Sequence, residues 1–222
     1  MKHWVIGDIH GCANALQTLL NNLPLRSNDI IITVGDYVDR GANSYGVIEQ
    51  LLHLAKNYRL HALRGNHEIM MLRAKNNSDE YREWLQNGGD KTLASYSPFA
   101  DKGNINDIPD HHWLFLEKCL PYYEATNHFI VHANAYPDFP LNEQPDYMLY
   151  WESLNATAAP HMSGKIMICG HTPQKTGLPQ HQSHAICIDT YAYGGGWLTC
   201  LNLETLKYWQ ANEAQQLRSN YL

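Results

Sequence analysis

The sequence predicts an α/β protein built around a parallel sheet. Two observations carry this. Short apolar runs alternate with segments whose apolar residues recur at helical spacing, which is the pattern of βαβ units. A polar, glycine-bounded motif then follows each of the early runs, at the place where open parallel sheets bind ligands, outside the carboxyl ends of the strands.

His3 to Ile6 reads as a first short buried strand, ending in Gly7-Asp8-Ile9-His10-Gly11. Leu16, Leu19, Leu20 and Leu23 then recur at helical spacing until Pro24 stops the helix. Ile30 to Val34 is a second strand and runs into Gly35-Asp36-Tyr37-Val38-Asp39-Arg40-Gly41. Val47, Ile48, Leu51, Leu52 and Ala55 mark a second amphipathic helix. Leu60 to Leu63 is a third strand, followed by Gly65-Asn66-His67-Glu68.

From there to about Leu120 the chain reads as mostly helical, with a helix start at Asp107-Ile108-Pro109, and the segment 69–120 is expected to form a cap or lid. Strands return at Phe129–Val131, Lys165–Cys169, Ala185–Ile188, Trp197–Leu201 and Leu206–Trp209. Their close spacing predicts hairpins in a second, mixed sheet packed on the first. The polar tail from Ala211 to Leu222 is expected to fray. The whole chain, residues 1–222, is read as a single catalytic domain, since it has no repeat, low-complexity segment or linker.

Composition sets outer bounds. A length of 222 residues supports one sizeable core, and 44% hydrophobic with 17% charged residues is ordinary for a globular protein. A net charge of -6 argues against a nucleic-acid partner. No apolar run approaches the roughly 20 residues that a membrane-spanning helix needs. Five scattered cysteines form no CxxC pair and read as reduced, mostly buried thiols, so a cytoplasmic location is expected.

Two acids and an arginine directly after a buried strand are costly unless a metal ion and a phosphate compensate them. The candidate metal ligands are Asp8, His10, Asp36, Asn66, His132 and His171, each just past an apolar strand. Carboxylate, imidazole and amide oxygen together suit borderline divalent metals such as Mn, Fe or Zn. Six ligands exceed the three-plus-water set of one catalytic zinc. Two metals sharing a carboxylate, best supplied by Asp36, account for them and suit in-line phosphoryl displacement. Singly, each residue has an ordinary structural explanation: an Asp-x-His pair is common, and the chain has 13 histidines. Their occurrence in order, each at a strand end, is what separates them from background.

GDIHG, GDYVDRG, LRGNHE, a strand-borne VHA and a later GHTP resemble, in order and spacing, the phosphoprotein phosphatase branch of the calcineurin-like metallophosphoesterases. The similarity runs from about Trp4 to Leu203. Asn87-Gly88-Gly89 with Thr92-Leu93, and Ile188-Asp189-Thr190 with Gly195-Gly196, look like its compact bacterial and phage-type serine/threonine phosphatases.

The resemblance implies a two-sheet β sandwich flanked by helices, with a dimetal site at the strand ends. It implies that Asp8 and His10 hold one divalent ion, that Asn66, His132 and His171 hold the other, and that Asp36 bridges them. The ions are expected to be Mn, with Fe or Zn as alternatives. Arg40 and Asn66 would contact the substrate phosphate. His67, oriented by Asp39, would be the general acid, and a metal-bridging hydroxide the nucleophile. The expected substrate is a phosphoprotein or phosphopeptide bearing phosphoserine or phosphothreonine; a broad-specificity phosphatase that also acts on phosphotyrosine is one alternative. The other is a symmetrical dinucleoside tetraphosphate. Relatives that cleave it usually lack an acid where Asp39 stands, and their nucleotide leaving group needs less protonation.

Two departures from the family pattern stand out. Asn134 occupies glycine-rich territory after His132, where it is expected to narrow the site or add a hydrogen bond. No arginine lies between His132 and His171, where a second phosphate-binding arginine is common. Arg73 could substitute, or Glu152 could favour a cationic or metal-bridged substrate. Cys12 reads as packing, because no Cys-x5-Arg loop surrounds it. His111 and His112 read as solvated or capping, and His181 and His184 as exposed. The aromatics Tyr122, Tyr123, Tyr136, Tyr147, Tyr150 and Trp151 read as core or rim, with a substrate groove as the alternative.

Overall fold

Side-chain alternation along the strands explains the three layers of the molecule. The structure, a computed structural model, describes residues 1–97, 103–155 and 159–222. In β1 (His3–Ile6), Val5 points one way and Trp4 and Ile6 the other. In β2 (Ile30–Thr33), Ile30 and Ile32 side with Val5, and Ile31 sides with Trp4. Period-two alternation of apolar residues on both faces is what a strand covered on both sides requires.

The first sheet has six strands. β1 pairs in parallel with β2, and β2 with β3 (Arg59–Ala62). On the other side of β1 lies β9 (Leu198–Asn202), antiparallel, then β10 (Lys207–Ala211) and β11 (Leu217–Tyr221), also antiparallel. The second sheet runs β4 (Tyr122–Glu124), β5 (His128–Val131), β6 (Ile166–Cys169), β8 (Ala185–Cys187), β7 (Gln180–His181), with β5, β6 and β8 parallel. Val5, Ile32, Val34 and Leu201 of the first sheet share one buried cluster with Ile130, Ile168, Ile186 and Ile188 of the second. A mixed sheet packed on a first sheet is therefore present, but its membership differs from expectation: the strands at Trp197–Leu201 and Leu206–Trp209 form their hairpin in the first sheet, and β5, β6 and β8 run parallel, joined by crossovers and not hairpins.

Helices α1 (Ala13–Asn22) and α2 (Ser44–Asn57) cover the outer face of the first sheet, burying Leu16, Leu19, Val47, Ile48 and Leu51 against Trp4 and Ile31. Asn43 caps α2 by accepting from Gly46 N at 2.8 Å. The segment after β3 forms α3 (Asn66–Ala74), α4 (Ser78–Trp84), α5 (Asp90–Tyr96) and α6 (Asp110–Glu117). A kink at Gly88, with φ at 107°, separates α4 from α5. The lid reading of this segment does not hold. Trp84, Leu93, Ile108, Trp113 and Leu116 belong to the same buried cluster as Trp4 and Ile6, so these helices extend the core.

The tail also departs from expectation. β11 is an exposed edge strand paired with β10 along its length. Arg218 anchors it, donating to Gln210 Oε1 at 2.8 Å and to Gly177 O at 2.7 Å while lying over the Trp197 ring. A polar composition concealed a strand whose stability comes from backbone pairing. Among the described residues no helix is long and apolar enough to cross a membrane.

Candidate metal centre and active site

Every candidate ligand sits past the carboxyl end of a parallel strand: Asp8 and His10 after β1, Asp36 after β2, Asn66 after β3, His132 after β5 and His171 after β6. The two sheets converge there and all six meet. Asp36 is at the centre. Its Oδ2 lies 3.3 Å from His10 Nε2 and its Oδ1 lies 3.5 Å from His132 Nε2. Asn66 Oδ1 lies 2.9 Å from His132 Nε2 and 3.1 Å from His171 Nδ1. Asp8 Oδ2 accepts from His171 N at 2.9 Å. Asp36 shares a tight donor cluster with His10 and His67 on one side, and a second with His132 and His171 on the other.

Backbone strain is concentrated here. His10, Asp36, Asp39, Arg40 and His171 all have left-handed φ, between 44° and 70°. Non-glycine residues in that region cost about 1–3 kcal/mol each and persist where the surroundings over-determine them. Close approach adds a further constraint. A methyl group at Gly170 would overlap Asp8 Oδ1, and one at Gly65 would overlap Asp36 Oδ1.

The electrostatics favour bound cations. Burial, then the charges of Asp189 and Asp36, raises Asp8 well above the usual carboxylate range. Burial also acts on Asp36, but the imidazoles of His132, His67 and His10 outweigh it and hold the carboxyl well below that range. Burial lowers His132 to about 3 and lowers His171, which keeps both near the neutral form that a metal ligand requires. Burial lowers His10 too, yet the Asp36 charge raises it on balance. Asp8 Oδ1 is buried and has no hydrogen-bond partner among the described residues. An orphaned carboxylate oxygen beside two other buried acids fits a divalent-cation ligand, because an uncompensated group of this kind is costly. The partners of the ligand imidazoles fit as well. His10 Nδ1 and His132 Nδ1 lie 2.8 and 3.0 Å from the carbonyls of Val38 and Val34, which aims each Nε2 inward.

Next to this cradle lies a second, fully paired group. His67 Nδ1 lies 2.7 Å from Asp39 Oδ2. Asp39 is wholly buried, and it accepts from Trp84 Nε1 at 2.9 Å and from Thr92 Oγ1 at 2.7 Å. Its own N–H donates to Thr92 Oγ1 at 2.8 Å and to Ser44 Oγ at 3.2 Å. A carboxylate acceptor at Nδ1 makes that nitrogen the donor and leaves Nε2 for the reaction side. The His67 and His10 rings meet edge to face at 4.7 Å. Arg40 Nη1 lies 3.1 Å from His10 Nε2, and the guanidinium stacks 4.7 Å from the Tyr193 ring centroid. Glu68 ties the motifs together, accepting from Asp36 N, Tyr37 N and Gly65 N at 2.8–2.9 Å.

Trp84, Thr92, Glu68, Asp189 and Tyr193 carry no assigned role in the sequence reading. Asp189 could have been found by the rule that located the others, since it directly follows the apolar run Ala185–Ile188. Burial pushes its carboxyl up to about 6. Trp84 and Thr92 sit in helices and show no such signal.

The remaining expectations divide. Asn134 forms a brace: its Nδ2 donates to Ser153 O at 3.1 Å. Arg73 is exposed in the last turn of α3. Cys12 and the other four cysteines are free and buried, and burial holds the Cys12 thiol protonated. His112 is fully buried, against the solvated reading, because Tyr96 and Glu49 satisfy its ring nitrogens. Tyr150 is buried, whereas Tyr136, Tyr147 and Glu152 line a cavity of about 480 Å³ that none of the six ligand candidates borders.

Comparison with known proteins agrees with this geometry. The model of the calcineurin-like phosphoesterase family matches residues 1–194. Serine/threonine-protein phosphatase 1 of Salmonella typhimurium is 31% identical over 212 residues, covering 90% of this chain and 91% of that protein. An asymmetrical bis(5'-nucleosyl)-tetraphosphatase of Oceanobacillus iheyensis is 29% identical, covering 90% and 87%. A crystal structure provisionally assigned as a diadenosine tetraphosphatase superposes with a TM-score of 0.67 at 22% identity, covering 99% of this chain and 92% of that one. The chain belongs to the calcineurin-like phosphoesterase family and has its fold, two mixed sheets flanked by helices.

Proposed function

We propose that this calcineurin-like phosphoesterase is a phosphomonoesterase acting on phosphoserine and phosphothreonine in proteins. The observation that carries the reading is the His67–Asp39 pair, with its 2.7 Å contact buried under Trp84 and Thr92. An alkoxide leaving group is a strong base and needs a proton as the P–O bond breaks. The Asp39 carboxylate, 2.7 Å from Nδ1, fixes the orientation of the ring and leaves Nε2 as the nitrogen that faces the leaving group.

Asp8 and His10 are assigned to one divalent ion, Asn66, His132 and His171 to a second, and Asp36 to both. When bound, such ions lower the pKa of a coordinated water and neutralise phosphoryl oxygens. Manganese is the proposed ion, with iron or zinc compatible with the same donors. Arg40, held between His10 and Tyr193, is assigned to the substrate phosphate, with Asn66 beside it. Five free, buried cysteines support a reducing compartment, and so the cytoplasm.

Dinucleoside tetraphosphate is the second reading, favoured by the similarity to tetraphosphatases in both sequence and fold. Hydrolysis of a phosphoserine peptide and of diadenosine tetraphosphate, with Mn supplied, decides between them. A higher kcat/KM on the peptide is expected. Preference for the dinucleotide would replace the first reading with the second.

A further inference from the structure

We propose that Glu49, His111 and His112 form a separate divalent-metal site of the zinc type, bridging α2 and α6 on the outer helical layer. The Nε2 atoms of His111 and His112 converge on one oxygen, Glu49 Oε1, at 3.2 and 2.8 Å. All three donor atoms lie within 4.8 Å of one another. Adjacent residues of a helix do not normally face one target. Here both rings turn to it and meet edge to face at 4.5 Å. A tetrahedral zinc with ligands at 2.0–2.2 Å holds them roughly 3.3 Å apart, and the two Nε2–Oε1 separations of 3.2 and 2.8 Å lie within about half an ångström of that. Two imidazoles and a carboxylate are a donor set for zinc and neighbouring first-row ions, with a fourth position open to water.

The surroundings are those of a supported ligand. His112 is buried, and its other ring nitrogen, Nδ1, lies 2.8 Å from the Tyr96 hydroxyl. Metal-bound imidazoles characteristically donate the second N–H to such a partner. Burial raises the Tyr96 hydroxyl, so it stays protonated and can accept that N–H. Burial likewise lowers His112, leaving it neutral, and hydrogen bonds from His112 and His111 hold the Glu49 carboxyl down in its anionic form. Glu49 and His111 are partly exposed, which gives an ion a path in from solvent. The site lies outside the catalytic cluster, but α5 links the two. It carries Tyr96 against His112 and, one turn earlier, Thr92 against Asp39.

The test is zinc stoichiometry on the full chain, stripped with chelator, reloaded with zinc alone and dialysed. His111→Ala and Glu49→Gln should each bind one ion fewer per chain than the parent. Both alter exposed positions and should leave the fold intact by circular dichroism. The zinc-induced rise in Tm should shrink in both. Asp36→Asn reports on the other site independently, since it should lose catalytic-cluster zinc while keeping the ion at His111. An unchanged zinc count in folded His111→Ala and Glu49→Gln would overturn the proposal and leave the functional reading untouched. The expected loss there, with no loss in Asp36→Asn, would support this site and count against the catalytic assignment.

Discussion

The two halves of the candidate active site are built on opposite terms. Around Asp39 the protein supplies the partners: Trp84, Thr92 and His67 surround one buried carboxylate with short hydrogen bonds, and Ser44 Oγ accepts from the Asp39 backbone N–H. Around Asp36 the protein supplies a surplus of acceptors. Asp8 keeps an orphaned oxygen, Asn66 turns its Oδ1 toward two imidazoles, and Asp189 is pushed up to about 6 by burial. A buried charge is tolerable when paired and expensive when it is not. The first half is therefore complete without cations, and the second has the surplus of acceptors that the proposed cations would compensate.

That contrast can be broken experimentally. The largest effect is expected for Asp36→Asn, which removes the carboxylate shared by both donor clusters. Loss of several kcal/mol of transition-state stabilisation corresponds to a fall in kcat/KM of roughly 10³-fold or more. Metal analysis of the same variant should show depleted ions, and retained full metal content would undo the bridging assignment.

Chelation should separate the halves without mutation. Ions bound at about 100-fold above their Kd stabilise by about 2.7 kcal/mol. Over a chain of this length, removal of each such ion should lower Tm by roughly 5–10 °C. The Trp84 and His67 environments, followed by indole and imidazole NMR signals, should shift far less than those of His132 and His171. Wholesale loss of the Trp84 signal would show that the Asp39 pocket also depends on metal.

A smaller effect is expected for Trp84→Phe, which removes one donor from Asp39 and keeps most of the packing. A hydrogen bond to a charged group contributes about 1.5–3 kcal/mol. Stability should fall by up to that amount, and kcat by about tenfold, the lower end of what orienting partners contribute. Metal content should be unchanged. Smaller still in activity is Ile168→Ala, which should cost about 2–5 kcal/mol of stability through a cavity between the sheets. Its kcat should stay near that of the parent if the strand ends hold their register.

The same contrast explains what was legible in the sequence. The proposed metal ligands belong to short motifs at strand ends, so Asp8, His10, Asp36, Asn66, His132 and His171 stand out by position and residue type. Asp189 obeys the same rule, and its location was visible in the run Ala185–Ile188. The residues that orient Asp39 follow no such rule. Trp84 and Thr92 come from helices that the sequence presents as a separate layer, and only the packing of α4 and α5 onto the core brings them to Asp39. Likewise, β11 was hidden because pairing with β10 is a backbone property, and nothing in Leu217–Tyr221 alternates in hydrophobicity. Convergence of His111 and His112 on Glu49 depends on how α6 lies against α2, which sequence spacing does not encode.

The most direct test of the account is the leaving-group dependence of His67→Asn. If His67 donates the proton, kcat/KM on a phosphoserine peptide should fall about 10²–10⁴-fold, the range that general acids supply. The fall on p-nitrophenyl phosphate, whose leaving group is a weak base, should be much smaller, with metal content unchanged. Equal losses on both substrates, or loss of metal in the variant, would contradict the division of the site into a self-sufficient acid and a cation-dependent cradle.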